Sequence, residues 1–456
     1  MKRPVAELLV ADIGSTVTKL CAFAGLSEVD GNAARFLGQG FAATTVAEGD
    51  IVLGLDEARE DLERRLEIDT SDARWMAASS AAGGLRMSVH GLTTEMTLRA
   101  AREASLGAGA NVVFTSAGAL GQDDIDQLCA QQPKMILLAG GVDYGDREIV
   151  IGNARVLAAT PVNAPVIYAG NRTAAREVER LFLAANKAIF VVDNVYPSID
   201  ELNIEPVRNV IQEVFSTHIV SAPGLDRVRR RVHGTILPTP GAVMLATEML
   251  AERLGNVMTI DVGGATTDVH SVTRDTPEHE KLRLRPEPGS KRTVEGDLGV
   301  YFGAEQMLSN AACSGINPDA LVALPRAREQ REATIALTRL ACQQAIRRHV
   351  GRVRPSYGVY GRTLVVEGRD LSAIQWIVGT GGALTRLGAG REILAGLRAQ
   401  GEVGEINLMP PASAQILLDD DYLLAAAGVM SSYHRAAARR VLYTSLGLAE
   451  TESAHG

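Results

Sequence analysis

Two stretches place an aspartate, one or two glycines and a group of hydroxyl residues in the same short order: Asp12-Ile13-Gly14-Ser15-Thr16 and Asp261-Val262-Gly263-Gly264-Ala265-Thr266-Thr267-Asp268. Each closes a short apolar run and opens a second run rich in β-branched residues, the pattern of a tight hairpin between strands. Such a turn can hold a nucleotide phosphate: glycine lets backbone N–H groups approach an anion, and Ser or Thr hydroxyls add donors. The strand-end carboxylates of Asp12 and Asp261 are of the kind that holds Mg²⁺ through water. Lys19, on the strand leaving the first turn, reads equally as a phosphate contact or as a surface lysine. A third glycine turn, Gly379-Thr380-Gly381-Gly382-Ala383-Leu384, also follows a strand. Any one of the three alone is an ordinary turn, and it is their order that carries information.

The elements that must position these turns follow from the apolar period, which switches repeatedly between two and about 3.6. Strands are expected at 7–11, 17–24 and 36–45, then a helix with Ile51, Leu55, Ala58, Leu62 and Leu66 on one face. A strand at 74–78 leads into Ser79-Ser80-Ala81-Ala82-Gly83-Gly84, which, with Gly140-Gly141, reads either as cleft lining or as plain strand-to-helix turns. From about 87 to 218, strands at 111–115, 134–139, 165–169 and 188–193 alternate with helices, which implies parallel pairing in an inserted α/β subdomain. A helix at 242–254 ends at Gly255 as a C-terminal cap. A strand at 258–261, the second turn and a strand through 272 follow. A Pro- and charge-rich loop is expected over 276–291, largely helical chain to about 350, a strand at 373–378, and a helix at 422–434 headed by Asp419-Asp420-Asp421. The division expected is 1–86 for a first lobe, 87–235 for the inserted subdomain with its return segment, and 236–456 for a second lobe.

At 456 residues, 46% hydrophobic and 22% charged, the chain has the composition of a soluble protein of two or three domains, with a frayed tail expected over 450–456. A net charge of −8 argues against nucleic acid or an anionic membrane as partner. The run Arg227-Val228-Arg229-Arg230-Arg231 reads as a solvated helix face or partner patch rather than an RNA site, since no aromatics interleave it. Cys21, Cys129, Cys313 and Cys342 form no CxxC pair, which fits small core residues in a reduced, cytoplasmic protein. The start is interrupted by Glu7 and Asp12, so it reads as a first strand rather than a signal peptide, and no apolar run approaches the ~20 residues of a membrane span. No histidine pair has the spacing of a transition-metal site.

The order of the three turns resembles that of the acetate and sugar kinase, Hsp70 and actin superfamily. The resemblance implies an α/β fold of two ribonuclease-H-like (actin/Hsp70-type) lobes around an ATP cleft. It implies that Gly14, Ser15 and Thr16 hold the terminal phosphates from one lobe, and Gly263, Gly264, Thr266 and Thr267 from the other. Asp12 and Asp261 then organise Mg²⁺, while Gly379, Gly381 and Gly382 let the chain pass close to ribose and adenine. Glu295 to Gly299 and Ala425 to Gly428 stand where the two connecting helices fall. For the water-orienting base, Asp268 is placed ahead of Asp297 and Glu295; its neighbour His270 reads as structural.

A closer likeness runs along nearly the whole chain. Ala-Asp-Ile-Gly-Ser-Thr at Ala11, Ser-Ser-Ala-Ala-Gly-Gly-Leu at Ser79, Leu-Leu-Ala-Gly-Gly at Leu137, Tyr-Ala-Gly-Asn at Tyr168, Pro-Thr-Pro-Gly-Ala-Val at Pro238 and Asp-Val-Gly-Gly-Ala-Thr-Thr-Asp-Val-His-Ser at Asp261 resemble the glutamate mutase accessory family called MutL or GlmL. That resemblance implies ATP-driven reactivation or chaperoning of an adenosylcobalamin-dependent mutase, with ATP/ADP and Mg²⁺ as ligands and mutase subunits as partners. A homodimer is the other assembly considered. The alternatives to the reactivation reading are a small-molecule kinase using the same cleft, a nucleotide-binding scaffold without turnover, and an ATP-driven electron donor. The last needs cluster-ligating cysteines, and Cys313 and Cys342 lie in an expected helical region without glycine-rich surroundings.

Overall fold

The computed structural model describes residues 3–26, 33–45, 50–80, 85–199, 201–218, 224–283, 286–302, 304–308, 315–358, 361–399 and 406–448. Ala81 to Gly84, Cys313 and the tail 450–456 lie outside the described residues.

Strict alternation builds the first sheet. In β1 (Leu8–Ile13), Leu9, Ala11 and Ile13 enter one core, whereas Leu8 and Val10 enter another on the opposite face, where Asp12 follows them at the strand end. β2 (Val17–Ala24) and β3 (Arg35–Ala43) continue antiparallel. α1 (Ile51–Leu66) lays Ile51, Leu55, Ala58 and Leu62 on the first core, and the Asp50 carboxylate caps it by accepting from Val52 N–H at 3.0 Å. β4 (Arg74–Ser79) runs parallel to β1.

The inserted subdomain is a doubly wound parallel sheet built from β5 (Leu85–Gly91), α2 (Arg99–Gly107), β6 (Ala110–Ala117), α3 (Gln122–Gln131), β7 (Met135–Leu138), α4 (Glu148–Ala159), β8 (Val166–Tyr168), α5 (Ala175–Ala184) and β9 (Ile189–Val191). Its strand order is β6-β5-β7-β8-β9. The chain returns through α6 (Ile204–His218) and α7 (Leu225–Arg231) to β10 (Val232–Pro238), which pairs parallel with β4 and completes the first sheet as β10-β4-β1-β2-β3. The divisions drawn at 86/87 and 235/236 therefore fall inside β5 and β10. Both strands are broken by polar residues or glycine (Arg86 and Ser88; His233, Gly234 and Thr235), which blunts their apolar signal. The arginine run of α7 is paired with acids of α1 and of its own helix: Arg227 with Asp50, Arg231 with Asp56 at 2.6 Å and Arg230 with Asp226 at 3.2 Å.

α8 (Thr239–Leu254) leads into the second lobe, where β11 (Val257–Val262) and β12 (Thr267–Val272) form the second hairpin. The 276–291 stretch is not a plain loop: Thr276 caps α9 (Pro277–Leu282), and β13 (Ser290–Glu295) already starts within it. Nor is the chain to 350 as largely helical as expected, since a 3-10 turn (Pro318–Ala320) and an irregular segment over 321–327 lie between α10 (Ala304–Leu308) and α11 (Arg328–His349). β14 (Arg352–Gly358) and β15 (Gly361–Glu367) make a hairpin that the apolar pattern did not single out. β16 (Trp376–Thr380), α12 (Gly382–Thr385), α13 (Gly390–Ala395), β17 (Ile406–Asn407), β18 (Gln415–Leu418), α14 (Leu424–Ser431) and α15 (Arg435–Ser445) follow.

The second sheet runs β13-β12-β11-β16-β18, with β11–β12 and β12–β13 antiparallel and β11–β16 and β16–β18 parallel. Position for position this repeats the first sheet, so the molecule has two ribonuclease-H-like lobes. Leu8 and Val10 from the first sheet and Val257 and Val378 from the second share one core with α8, α14 and α15, which places these helices between the lobes. Gly428 of α14 and Ala242 of α8 meet there. Glu295 to Gly299, expected in a connecting helix, instead end β13 and form a turn; the helix that crosses α14 is α8. Among the described residues no helix is long and apolar enough to cross a membrane.

Three buried histidines set an acid limit. His90 lies between Ser88 and Ser116, and burial lowers its pKa to about 4; His270 and His349 are also held neutral by burial. An unfolded histidine binds its proton near 6.5. The unfolded chain therefore holds more protons than the folded one below that value, and stability is lost as pH falls from about 6.5 toward 4. Denaturant midpoints should fall through this window, and a flat profile would contradict it.

Candidate functional site

The two hairpins converge on one cleft of about 540 Å³ between the lobes. Asp12 and Lys19 are cross-strand partners in β1 and β2, and Asp261 and Asp268 are the equivalent partners in β11 and β12. The Gly14 N–H donates to Val17 O at 3.1 Å and the Gly263 N–H to Thr266 O at 2.9 Å. Those amides close their own turns, so the donors left to consider at the turn tips belong to the residues after them. A Cβ on Gly264 would stand 2.5 Å from Thr16 Oγ1, so the tips of the two turns touch. A strap from the end of β13 supports the second turn: Val300 and Tyr301 donate to the carbonyls of Gly263 and Gly264.

Asp12 is fixed on both oxygens. Thr239 Oγ1, at the first position of α8, donates to Oδ1 at 2.9 Å, and Lys19 Nζ lies 3.5 Å from Oδ2. Lys19 is only 2% exposed, donates to Tyr422 O at 2.7 Å and sits over the Tyr422 ring, so it is not a surface lysine. Tyr422 holds φ +55°, and the turn that aims its carbonyl at Lys19 is set by Asp419, which accepts from the Leu423 and Leu424 N–H groups. Asp261 behaves differently. Removal from solvent, then the charges of Asp268 and Asp12, push its pKa up to about 7. A carboxylate crowded by like charges is one that a cation relieves.

Of the residues singled out from the sequence, Asp12, Gly14, Ser15, Thr16, Lys19, Asp261, Gly263, Gly264, Thr266, Asp268 and Gly382 line the cleft. Thr267, Gly379 and Gly381 are not on its wall. Thr267 is buried and donates to Leu298 O, Gly379 lies under Leu394, and Gly381, at φ +89°, is the close-approach residue that lets the third turn pass Val262 and Asp261. Ser79 and Ser80 reach the cleft, whereas Gly140 and Gly141 are packed inside the insert against Val150 and Asn171. Asp297 and Glu295 are paired with Arg348 and are not among the lining residues. Cys342 is a core residue of α11, its thiol pushed up to about 12 by burial, which does not suit a cluster ligand.

Sequence reading missed Thr239, Arg292, Arg386 and Tyr422. Thr239 stands in Pro-Thr-Pro-Gly, which reads as punctuation. Arg386 lies over Phe41 from the opposite lobe with its guanidinium carbon 5.7 Å from the ring centroid, a contact no local pattern announces. Replacing Thr239 with Val should cost about 1 kcal/mol by removing one hydrogen bond to a buried carboxylate. An unchanged denaturant midpoint would contradict that coupling of α8 to β1.

The donor set fits a phosphate with a hydrated divalent cation. Thr16 Oγ1 is buried with no hydrogen-bond partner among the described residues and faces the other turn. No group of three or more metal-ligating side chains occurs among the described residues. Two opposed carboxylates beside a hydroxyl-lined turn suit a cation that keeps much of its water and shares phosphate oxygens.

A family model described as MutL protein matches residues 8–446. A protein from Clostridium tetanomorphum described as Protein MutL is 35% identical over 412 residues, 85% of this chain and 88% of that protein. Among solved structures, nucleotide-free acetone carboxylase matches 93% of this chain and 70% of its own at 12% identity, with a TM-score of 0.34. The ATP-dependent caprolactamase from Pseudomonas jessenii matches 93% of this chain and 70% of its own at 14% identity and TM-score 0.37. The ethanolamine utilization protein EutJ from Carboxydothermus hydrogenoformans matches 92% of this chain and 88% of its own at 10% identity and TM-score 0.31.

Proposed function

The chain belongs to the MutL protein family, and on that premise we propose that it binds Mg·ATP between its lobes and reactivates or chaperones an adenosylcobalamin-dependent mutase such as glutamate mutase. The observation that carries the nucleotide part is the contact of the two hydroxyl-bearing turns at Thr16 and Gly264, with Asp12 and Asp261 behind them on opposite lobes. Ser15, Thr16, Gly264 and Thr266 bind the phosphates. Asp12 and Asp261 hold the hydrated Mg²⁺, which when bound neutralises phosphate charge. Lys19 and Thr239 keep Asp12 oriented, and Asp268 positions water. Hydrolysis in such a site needs positioning and charge neutralisation, not a covalent nucleophile.

Two lobes joined through α8 and α14 and bridged by a nucleotide can convert ATP turnover into opening and closing. An adenosylcobalamin enzyme whose radical is lost retains a damaged cofactor that it binds tightly, and release of that cofactor requires work. The deciding experiment gives the purified protein a mutase inactivated with cyanocobalamin and measures recovery. Recovery that requires both ATP and Mg²⁺ is expected. No recovery with any mutase encoded beside it would remove the reactivation reading and leave the nucleotide reading standing. A second reading, phosphorylation of a small molecule, draws on the reach of the cleft past the turns to Leu85, Gly109 and Asn111 of the insert. ATP consumption matched mole for mole by a phosphorylated metabolite would favour it.

A further inference from the structure

We propose that Arg292 is a positioning residue that couples the phosphate-2 turn to the inserted subdomain, through the junction between α2 and β6. The inference rests on the nucleotide reading above and extends it to the element that the nucleotide would move.

Arg292 bridges two structures with no chain connection near it. Its Nε and Nη2 donate to Asp268 Oδ1 at 2.9 and 2.5 Å, while Nη1 donates to the carbonyls of Leu106 at 3.0 Å and Ala110 at 2.9 Å. On the other side of the carboxylate, Thr266 Oγ1 donates to Asp268 Oδ2 at 3.1 Å. A continuous path therefore runs from the hydroxyl of the phosphate-2 turn, through Asp268 and Arg292, to the insert. Asp268 and Arg292 both stand on the cleft wall, yet they are only 3% and 2% exposed. With so little water to substitute, the bonds each partner makes are strongly dependent on the other.

The receiving end suits a cation and is mechanically constrained. Leu106 lies in the last turn of α2, where the dipole is negative, and its carbonyl accepts from Arg292 as well as from the Gly109 N–H at 3.0 Å. Gly109, at φ +98°, makes the turn into β6, and a Cβ there would stand 2.7 Å from Gly241 N and 2.8 Å from Pro238 Cβ. The junction is thus wedged between the end of β10 in the first lobe and Arg292 in the second. Two outer rungs tie α2 to the same side: Arg99 to Glu287 at 3.0 Å and Glu103 to Lys291 at 3.3 Å.

A phosphate in the second turn competes for the Thr266 hydroxyl. Asp268 then loses a donor on Oδ2, and the guanidinium is drawn toward the carboxylate and away from the two carbonyls. The α2–β6 junction loosens in the ATP state. By linkage, a partner that holds the insert in one arrangement changes ATP affinity by the same factor.

Hydrogen exchange of the wild-type chain, with and without saturating Mg·ATP, tests this directly, with binding measured separately by calorimetry. Exchange of amides in 106–112 is expected to speed up at least threefold with nucleotide. In Arg292→Lys, which keeps a charge for Asp268 but cannot fork to two carbonyls, the nucleotide-dependent change should vanish at its own saturating concentration. Arg99→Ala, which cuts only an outer rung, should retain it. Wild-type binding with unchanged exchange at 106–112, or a full response in Arg292→Lys, overturns the coupling alone. Absence of Mg·ATP binding by the wild type overturns the nucleotide reading and the coupling together. The wild-type measurement decides even if Arg292→Lys does not fold.

Discussion

Asp261→Asn is expected to lower Mg²⁺-dependent ATP hydrolysis by at least about 100-fold while making the metal-free protein more stable at pH 8. The two effects share one cause. Partial removal from solvent and the nearby Asp268 and Asp12 charges push the Asp261 pKa from its ordinary 3.8 to about 7. Between those values the folded protein holds a proton that the unfolded chain has released. Stability conferred by this group therefore falls as pH rises through the window and is lowest above pH 7. Asparagine has no charge to suppress, so the penalty disappears. A tenfold change in proton affinity corresponds to about 1.4 kcal/mol, and because the side chain keeps part of its solvent contact a gain of roughly 2 kcal/mol is the expectation. The gain should shrink at pH 5, and Mg²⁺ should stabilise the wild type at pH 8 but not the variant. Melting at the two pH values with and without Mg²⁺, alongside phosphate release, checks both halves. A variant that hydrolyses ATP within threefold of the wild type would show that Asp261 does not organise the metal.

The cleft was legible because its parts are local. Asp-x-Gly followed by hydroxyls specifies a hairpin within a few residues, and the order of the turns marks them as a set, so Asp12, Thr16, Asp261, Gly264 and Thr266, which line the cleft, could be named from the chain alone. Among the insert strands β7 and β8 stood out as continuous apolar runs, as strands buried on both faces should, and the edge strands β6 and β9 were found from their β-branched runs although one face is partly open. What escaped depends on partners far along the chain. Thr239 and Tyr422 matter only because the fold carries them to Asp12 and Lys19, and Arg292 is an unremarked residue between a lysine and a threonine until Asp268 and the α2 carbonyls surround it. Asp268 shows the same limit from the other direction. Its place in the motif marks it as a candidate base, whereas its environment makes it also one end of a buried ion pair, with Arg292 Nη2 at 2.5 Å. β5 and β10 were blurred for a different reason: polar residues or glycine interrupt their apolar runs, and their membership of a sheet is set by neighbours rather than by pattern.

Gly428→Ala should destabilise the protein by about 3 kcal/mol or more, although it adds one methyl to a helix and alanine is the better helix former. The added Cβ would lie 1.8 Å from Ala242 O, and contacts under 3.0 Å essentially never occur, so α14 must move away from α8 by more than an ångström. The obstacle is backbone, which cannot rotate aside as a long side chain can. Ala242, Ala246 and Ala426 belong to the same core, where small residues let two helices approach closely and leave little slack to absorb the shift. The same displacement should reach the cleft. α8 begins at Thr239, which holds Asp12, and α14 follows the Asp419 turn that presents Tyr422 O to Lys19. Molecules that still fold should therefore bind Mg·ATP more weakly, and both losses should appear in one protein. Gly152→Ala in α4 is the contrast, because no atom lies within 4 Å of its Cβ position. There the gain in helix propensity stands alone, so a stabilisation of about 0.5–1 kcal/mol is expected. Denaturant midpoints of the two variants should move in opposite directions. A Gly428→Ala midpoint equivalent to less than about 1 kcal/mol of loss would mean that the crossing yields easily and that α8 and α14 do not hold the lobes in register.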